Sequence, residues 1–207
     1  MGSLHKFHEV LMVAGITWDS NHKSPYTVIL PGDLIIRAAT AGSAGIQAVR
    51  TTVALSGKRY YEIEHIGASR SPFQEIGLCN ASMPFSADFG VGRDVNSVSY
   101  YQDTGAIFWN NTQVGSASPW TTGDILALAY DSVTGRVWVA KNNVWANSGD
   151  PAAGTGFVTD ASVTGLTGAL YAAGGVYEGT ITGVLAARFS ASQFTYTPPV
   201  GFSDFES

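Results

Sequence analysis

The chain has a single cysteine, Cys79, among its 207 residues. No internal disulfide is possible, and nothing marks an oxidising secretory route. Charge is also sparse, at 13% of residues, about half the usual share of a soluble protein. Carboxylates outnumber Lys and Arg by 16 to 11, for a net charge of −5. Nucleic acid is therefore excluded as a partner, because phosphate contacts need Lys and Arg. No apolar run approaches the roughly 20 residues of a membrane span, and no secretory signal is present. The expectation is a soluble protein without membrane insertion. Helical periodicity is missing from the body of the chain as well. Cys79 itself lies in the strand-like run Glu75-Ile76-Gly77-Leu78-Cys79, with no basic neighbour to lower its pKa, and is expected to be a buried apolar residue.

What the chain has is glycine (24 residues), aromatics and short apolar runs. Ile125 to Tyr130 is apolar on both faces, too short for most helices, and should be covered on both sides. Asp131 to Gly135 supplies a turn, and Arg136 to Ala140 reads as the returning strand of a buried hairpin. Further strands are expected at 26–30, 34–38, 46–53, 58–66, 73–80, 97–101, 106–110, 170–176 and 183–189. Along 58–66, Tyr60, Glu62 and Glu64 share one face and Tyr61, Ile63 and His65 the other, as in a half-buried strand. Residues 83–92 and 147–155 read as surface loops. Turn signals every 8 to 14 residues, without an internal helix, indicate an all-β antiparallel sandwich over residues 16–207.

Residues 1–15 differ. Leu4, Phe7, His8, Leu11 and Met12 recur at helical spacing, so this stretch is expected to be an arm that docks on a neighbouring chain or packs on its own domain. His5 and His8 share a face there but lack a third metal ligand.

The order of motifs resembles the SPRY domain family. The likeness rests on Gly57-Lys58-Arg59-Tyr60-Tyr61-Glu62-Ile63, Ile76-Gly77-Leu78-Cys79, Val98-Ser99-Tyr100-Tyr101, Gly123 to Asp131, and Trp138 leading into Lys141-Asn142-Asn143. Trp18-Asp19, Pro31-Gly32-Asp33-Leu34 and Ala187-Arg188-Phe189 extend it over residues 16–205. Family members often carry Lys-Asn-Gly where this chain has Lys141-Asn142-Asn143, and Asn also tolerates the left-handed backbone such a turn needs. Trp145, Gly149-Asp150-Pro151-Ala152 and the ending Tyr196 to Phe202 look most like SPRY-type domains of bacteriophage structural proteins. The resemblance implies a bent concanavalin-A-like sandwich used for binding. It further implies a virion protein of tail, baseplate, fibre or capsid decoration, assembled in the host cytoplasm. Its partners would be other virion proteins or further copies of itself. A host-surface carbohydrate receptor function is the alternative, followed by a glycan-cleaving enzyme on the same fold or an intracellular peptide adaptor.

Catalysis is not expected. Glu62 and Glu64, two apart on a strand, sit ~6.5–7 Å apart along it, near a glycosidase spacing, but Ile66 stands where a third acid would follow. They are read as surface carboxylates beside Lys58 or Arg59. There is no Gly-x-Ser-x-Gly elbow, dinucleotide fingerprint or P-loop. Asp88, Asp94, Asp103 and Asp150 lack EF-hand spacing, so no metal and no cofactor is expected. Asn80-Ala81-Ser82 and Asn110-Asn111-Thr112 match the glycosylation pattern, without consequence where no secretory route exists. Trp109 and Trp138 are expected in the core. Partner or ligand contacts are expected from Arg93, Trp120, Trp145, Asp150 and Tyr177, since aromatic faces suit sugar rings and Trp, Tyr and Arg dominate interface hot spots.

Overall fold

A computed structural model describes residues 15–39, 45–67, 73–177 and 183–205; residues 1–14 of the arm, His5 and His8 included, lie outside them. Among the described residues fourteen strands form two seven-stranded sheets in which every strand pairing is antiparallel. The first sheet orders β1 (Trp18–Lys23), β4 (Ile46–Leu55), β13 (Leu170–Tyr177), β6 (Glu75–Cys79), β7 (Ser97–Tyr101), β8 (Ala106–Trp109) and β9 (Thr112–Ser116). The second orders β12 (Val144–Trp145), β11 (Arg136–Lys141), β10 (Ile125–Asp131), β5 (Lys58–His65), β14 (Val184–Arg188), β3 (Ile35–Ala38) and β2 (Thr27–Ile29). This is the sandwich expected from the alternating pattern.

The core between the sheets follows the period of two. Ile76, Leu78, Val98, Tyr100 and Ile107 face Tyr61, Ile63, Leu126, Leu128, Val137 and Val139 across it, all in one buried cluster. The buried hairpin of β10 and β11 is also covered on its outer side. There Ala127, Ala129, Trp138 and Ala140 join Tyr60 beneath Phe202, with Trp145, Phe157 and Phe194 packed against them. Trp138 donates its indole N–H to the Thr155 carbonyl at 2.7 Å, which draws the 147–155 loop over it.

That outer layer corrects the assignment of Glu62 to the surface. Glu62 is fully buried, where a carboxylate persists only if it is paired and hydrogen-bonded. Its oxygens accept from the Tyr60 hydroxyl and from the backbone N–H groups of Thr195 and Tyr196, each at 2.8 Å, and Arg188 lies 3.3 Å away. Arg188 also pairs with Glu64. The two acids thus share one guanidinium and tie the C-terminal segment to β5. Lys58 and Arg59 face elsewhere: Arg59 donates to the Asp204 carbonyl at 2.9 Å, and Lys58 lies over the Phe202 ring.

Two further corrections concern connections. Asn110 and Asn111 both take positive φ, 49° and 57°, and join β8 to β9 through a two-residue hairpin turn of the kind that fits strand twist. Asn142 and Asn143 (49° and 66°) make the left-handed turn expected of them, between β11 and β12. One helical turn, Ala161–Thr164, is capped by the Asp160 side chain on the Ser162 N–H at 2.9 Å, where no internal helix was expected. Among the described residues no helix is long and apolar enough to cross a membrane.

Candidate functional site

The outer face of the first sheet is shaped by residues 83–93, which include the stretch 83–92 read as a surface loop. Met83 and Val91 are buried, and with Phe85 and Phe89 they close over Cys79, Ala48 and Ala173. The segment is a strap lying on the sheet, with its apolar side chains turned down because the strands beneath present small ones. Under it the Cys79 thiol is free and buried, its pKa pushed up to about 12 by desolvation, so it is an inert filler as expected.

Beyond the strap the face is aromatic. Antiparallel pairing sets Glu75 opposite Tyr101 and Gly175 opposite Glu75, so outward side chains of β13, β6, β7 and β8 form rows across the sheet. Phe73 meets Tyr177 with ring centroids 5.0 Å apart and stacks on Tyr101 at 6.1 Å; Tyr101 meets Phe108 at 5.7 Å. All four rings are half-buried. Outward faces of antiparallel sheets are ordinarily polar, and a continuous run of partly exposed rings there marks an interaction surface.

Beside this row a cavity of about 170 Å³ is lined by Glu75, Val91, Arg93, Tyr101, Phe108 and Asn111, together with Gly92. Glu75 is 3% exposed and accepts a hydrogen bond from the Val91 N–H. Desolvation raises its pKa to about 8, against the opposing pull of Arg93 and that hydrogen bond. Tyr101 is likewise pushed up to about 12, by burial first and then by Glu75 and Asp103.

Of the five residues expected from sequence to make contacts, two meet on this face. Arg93 is exposed at the cavity and Tyr177 stands at the far end of the row. Trp145 and Asp150 lie on the other sheet's side. Trp145 is half-buried against Tyr60 (6.4 Å) and lines a separate groove of about 330 Å³ with Tyr100, Val139, Lys141 and Val144. Asp150 is exposed, exchanges backbone hydrogen bonds with Thr155 at 3.0 Å, and accepts from the Ala153 N–H at 3.1 Å, so it shapes its own loop. Trp120 does not reach the surface. It is 4% exposed, packed edge-on to His65 at 5.5 Å and beside Tyr100 at 6.1 Å. Pro119 just before it is exposed, and the ring turns inward from there to seal the end of the core.

Sequence reasoning missed Phe73, Glu75 and Phe108. The available signal was alternation: with Ile76 and Leu78 inward, Glu75 must point outward beside Tyr101. Among the described residues no three of His, Cys, Asp and Glu converge as metal ligands do.

A SPRY domain family profile matches residues 58–173, more than half of the chain. No curated protein matches the sequence significantly. Among solved structures, the SPRY domain of human HERC1 is similar with a TM-score of 0.65 at 14% identity, covering 82% of this chain and 96% of that one. The TRIM65 PSpry domain is similar with a TM-score of 0.59 at 13% identity, covering 84% and 88%. Stonustoxin is similar with a TM-score of 0.58 at 17% identity over 84% of this chain but 27% of its own. At these identities the structural likeness speaks to the fold alone.

Proposed function

The chain belongs to the SPRY domain family, a type of protein–protein binding module, and from that premise we propose that it is a non-catalytic docking component of a bacteriophage virion. The docking face is the outer side of the first sheet, where the row Tyr177–Phe73–Tyr101–Phe108 runs beside Arg93. The observation that carries this reading is four half-buried rings in sequential contact on an outward face. Rings so placed bring large apolar area at little entropic cost, the property of interface anchors. The virion assignment rests on the sequence likeness around Trp145, Gly149-Asp150-Pro151-Ala152 and Tyr196 to Phe202. Residues 1–15 serve as a second docking element, toward another subunit.

Particles offer the direct test. Immobilised protein, the Tyr101→Ala/Phe108→Ala variant and a Val133→Ala control (Val133 being 82% exposed in the β10–β11 turn) are challenged with disrupted particles. Wild type and control retain a defined virion protein, and the double variant loses it by at least tenfold. Retention indifferent to the row overturns the docking face, and a glycan-array hit without any protein partner turns the same rings into a sugar-stacking surface. Deleting residues 1–14 leaves the fold intact and lowers incorporation into particles.

A further inference from the structure

The aromatic row has a spacing that any partner must match. Tyr177, Phe73, Tyr101 and Phe108 follow one another across the sheet in steps of 5.0, 6.1 and 5.7 Å. Strand spacing, about 4.7–4.9 Å, fixes these steps, and four rings leave three clefts between them. An extended segment laid along the row repeats its side chains on one face every ~6.7 Å, and a polyproline helix every ~9 Å. Both fall out of register within two steps. An α-helix brings its apolar stripe round once per turn, about 5.4 Å, and that pitch fits.

The chain carries such a stripe in residues 1–14, where Leu4, Phe7 and Leu11 stand at i, i+3 and i+7. That is one apolar side chain for each cleft. The arm of the same molecule falls short of the row. Thr17 accepts the Thr52 N–H at 2.9 Å, whereas Tyr177, the ring nearest β1 in strand order, lies opposite Ile46. From Thr52 to Ile46 is about 20 Å along β4, and β1 and β13 flank β4 on opposite sides. Leu11 to Gly15 spans at most about 14 Å even when fully extended.

We infer that the row receives residues 1–14 of a second copy of this chain, docked as a helix with Leu4, Phe7 and Leu11 in the three clefts. This rests on the docking face proposed above and names its partner: the captured virion protein is this chain itself. Arm and row are different surfaces, so each copy donates one and accepts one. Damage to either surface therefore weakens association, and two copies damaged at different surfaces still join once.

Sedimentation velocity on full-length proteins tests this. Wild type self-associates, and so does Lys6→Gln, which lies off the stripe. Leu4→Asp/Leu11→Asp and Tyr101→Ala/Phe108→Ala each associate at least tenfold more weakly, and an equimolar mixture of the two regains association. A peptide of residues 1–14 is also titrated into the Leu4→Asp/Leu11→Asp protein and followed by two-dimensional amide NMR. It shifts Phe73, Tyr101, Phe108 and Tyr177, and the same peptide bearing both Asp substitutions leaves them in place. This titration uses an intact row, so it decides the matter even if Tyr101→Ala/Phe108→Ala fails to fold. A monomeric wild type, a mixture of folded variants that stays monomeric, or an intact peptide that shifts none of the four overturns the inference. Should the peptide fail while Tyr101→Ala/Phe108→Ala still abolishes capture of a different virion protein, this inference falls and the docking face stands.

Discussion

Replacing Glu62 by Gln perturbs a fully enclosed carboxylate by one atom. Oε1 accepts from the Tyr60 hydroxyl and the Tyr196 N–H, and Oε2 from the Thr195 N–H and Arg188. An amide has one acceptor oxygen, so its NH₂ must face one of these pairs. The Arg188 side offers two donors that cannot turn away. On the other side the Tyr60 hydroxyl can rotate to accept, leaving the Tyr196 N–H without a partner. That choice strands one buried backbone donor, about 1–3 kcal/mol. It also removes the buried charge opposite Arg188, which Glu64, on the half-exposed side, compensates in part. The sum is a loss of about 2–4 kcal/mol, measured by urea denaturation with an unchanged m-value. Glu64→Gln, at the more exposed position, loses under about 1 kcal/mol. A Glu62→Gln loss below about 0.5 kcal/mol would refute the network, and retained stability together with loss of a glycan-cleaving activity would make Glu62 catalytic after all.

The other predictions concern stability. An acid whose folded pKa lies above its unfolded value holds its proton longer when folded, so stability falls as pH rises between the two. For Glu75 that window runs from 4.5 to about 8, with a slope of about 1.4 kcal/mol per pH unit from this group. Glu75→Gln therefore gains on wild type steadily across this window in parallel denaturation curves, and a constant difference would contradict the burial argument. His65 works in the opposite sense at lower pH. Its folded pKa is lowered by desolvation, so stability falls as the unfolded imidazole protonates below about 6.5, and His65→Gln flattens that limb; an unaltered limb excludes His65 as its source. Trp138→Ala costs about 3–5 kcal/mol and Trp138→Phe, which keeps most of the ring and drops the hydrogen bond to Thr155, about 1–2. No loss in Trp138→Phe would remove any role for that bond.

The sandwich was legible because its evidence is local. Alternation along Tyr60 to His65 and the two-faced apolar run of β10 are set by residues adjacent in sequence; the strand and the buried hairpin both form, but the strand is buried on both faces rather than on one. Glu62 was misread for the complementary reason. Alternating acids look like a solvent face until residues 194–202, more than a hundred positions away, close over them. Trp120 was misplaced because exposed Pro119 and Gly123 flank it as loop residues do, while its ring contacts, His65 and Tyr100, come from two different strands. The β8–β9 hairpin carries its signal in Asn110-Asn111, but β9 is largely exposed and shows no apolar alternation to accompany it. Arg93 and Tyr177 were singled out by residue type alone. Their convergence, and the presence of Phe73, Glu75 and Phe108 between them, follows from the order β13–β6–β7–β8, in which β13 pairs with β6 from Tyr171 opposite Cys79 to Gly175 opposite Glu75, partners far apart in sequence, and leaves no trace in either segment.

If a partner protein sits on the outer face of the first sheet, Phe108 lies at the contact and Val133, in the β10–β11 turn, lies away from it. A photo-crosslinking residue placed at Phe108, and in a second preparation at Val133, tests it in the assembling particle. The expected result is a covalent adduct to one virion protein from position 108 and none from position 133. No adduct from 108, or the same adduct from both positions, would contradict it.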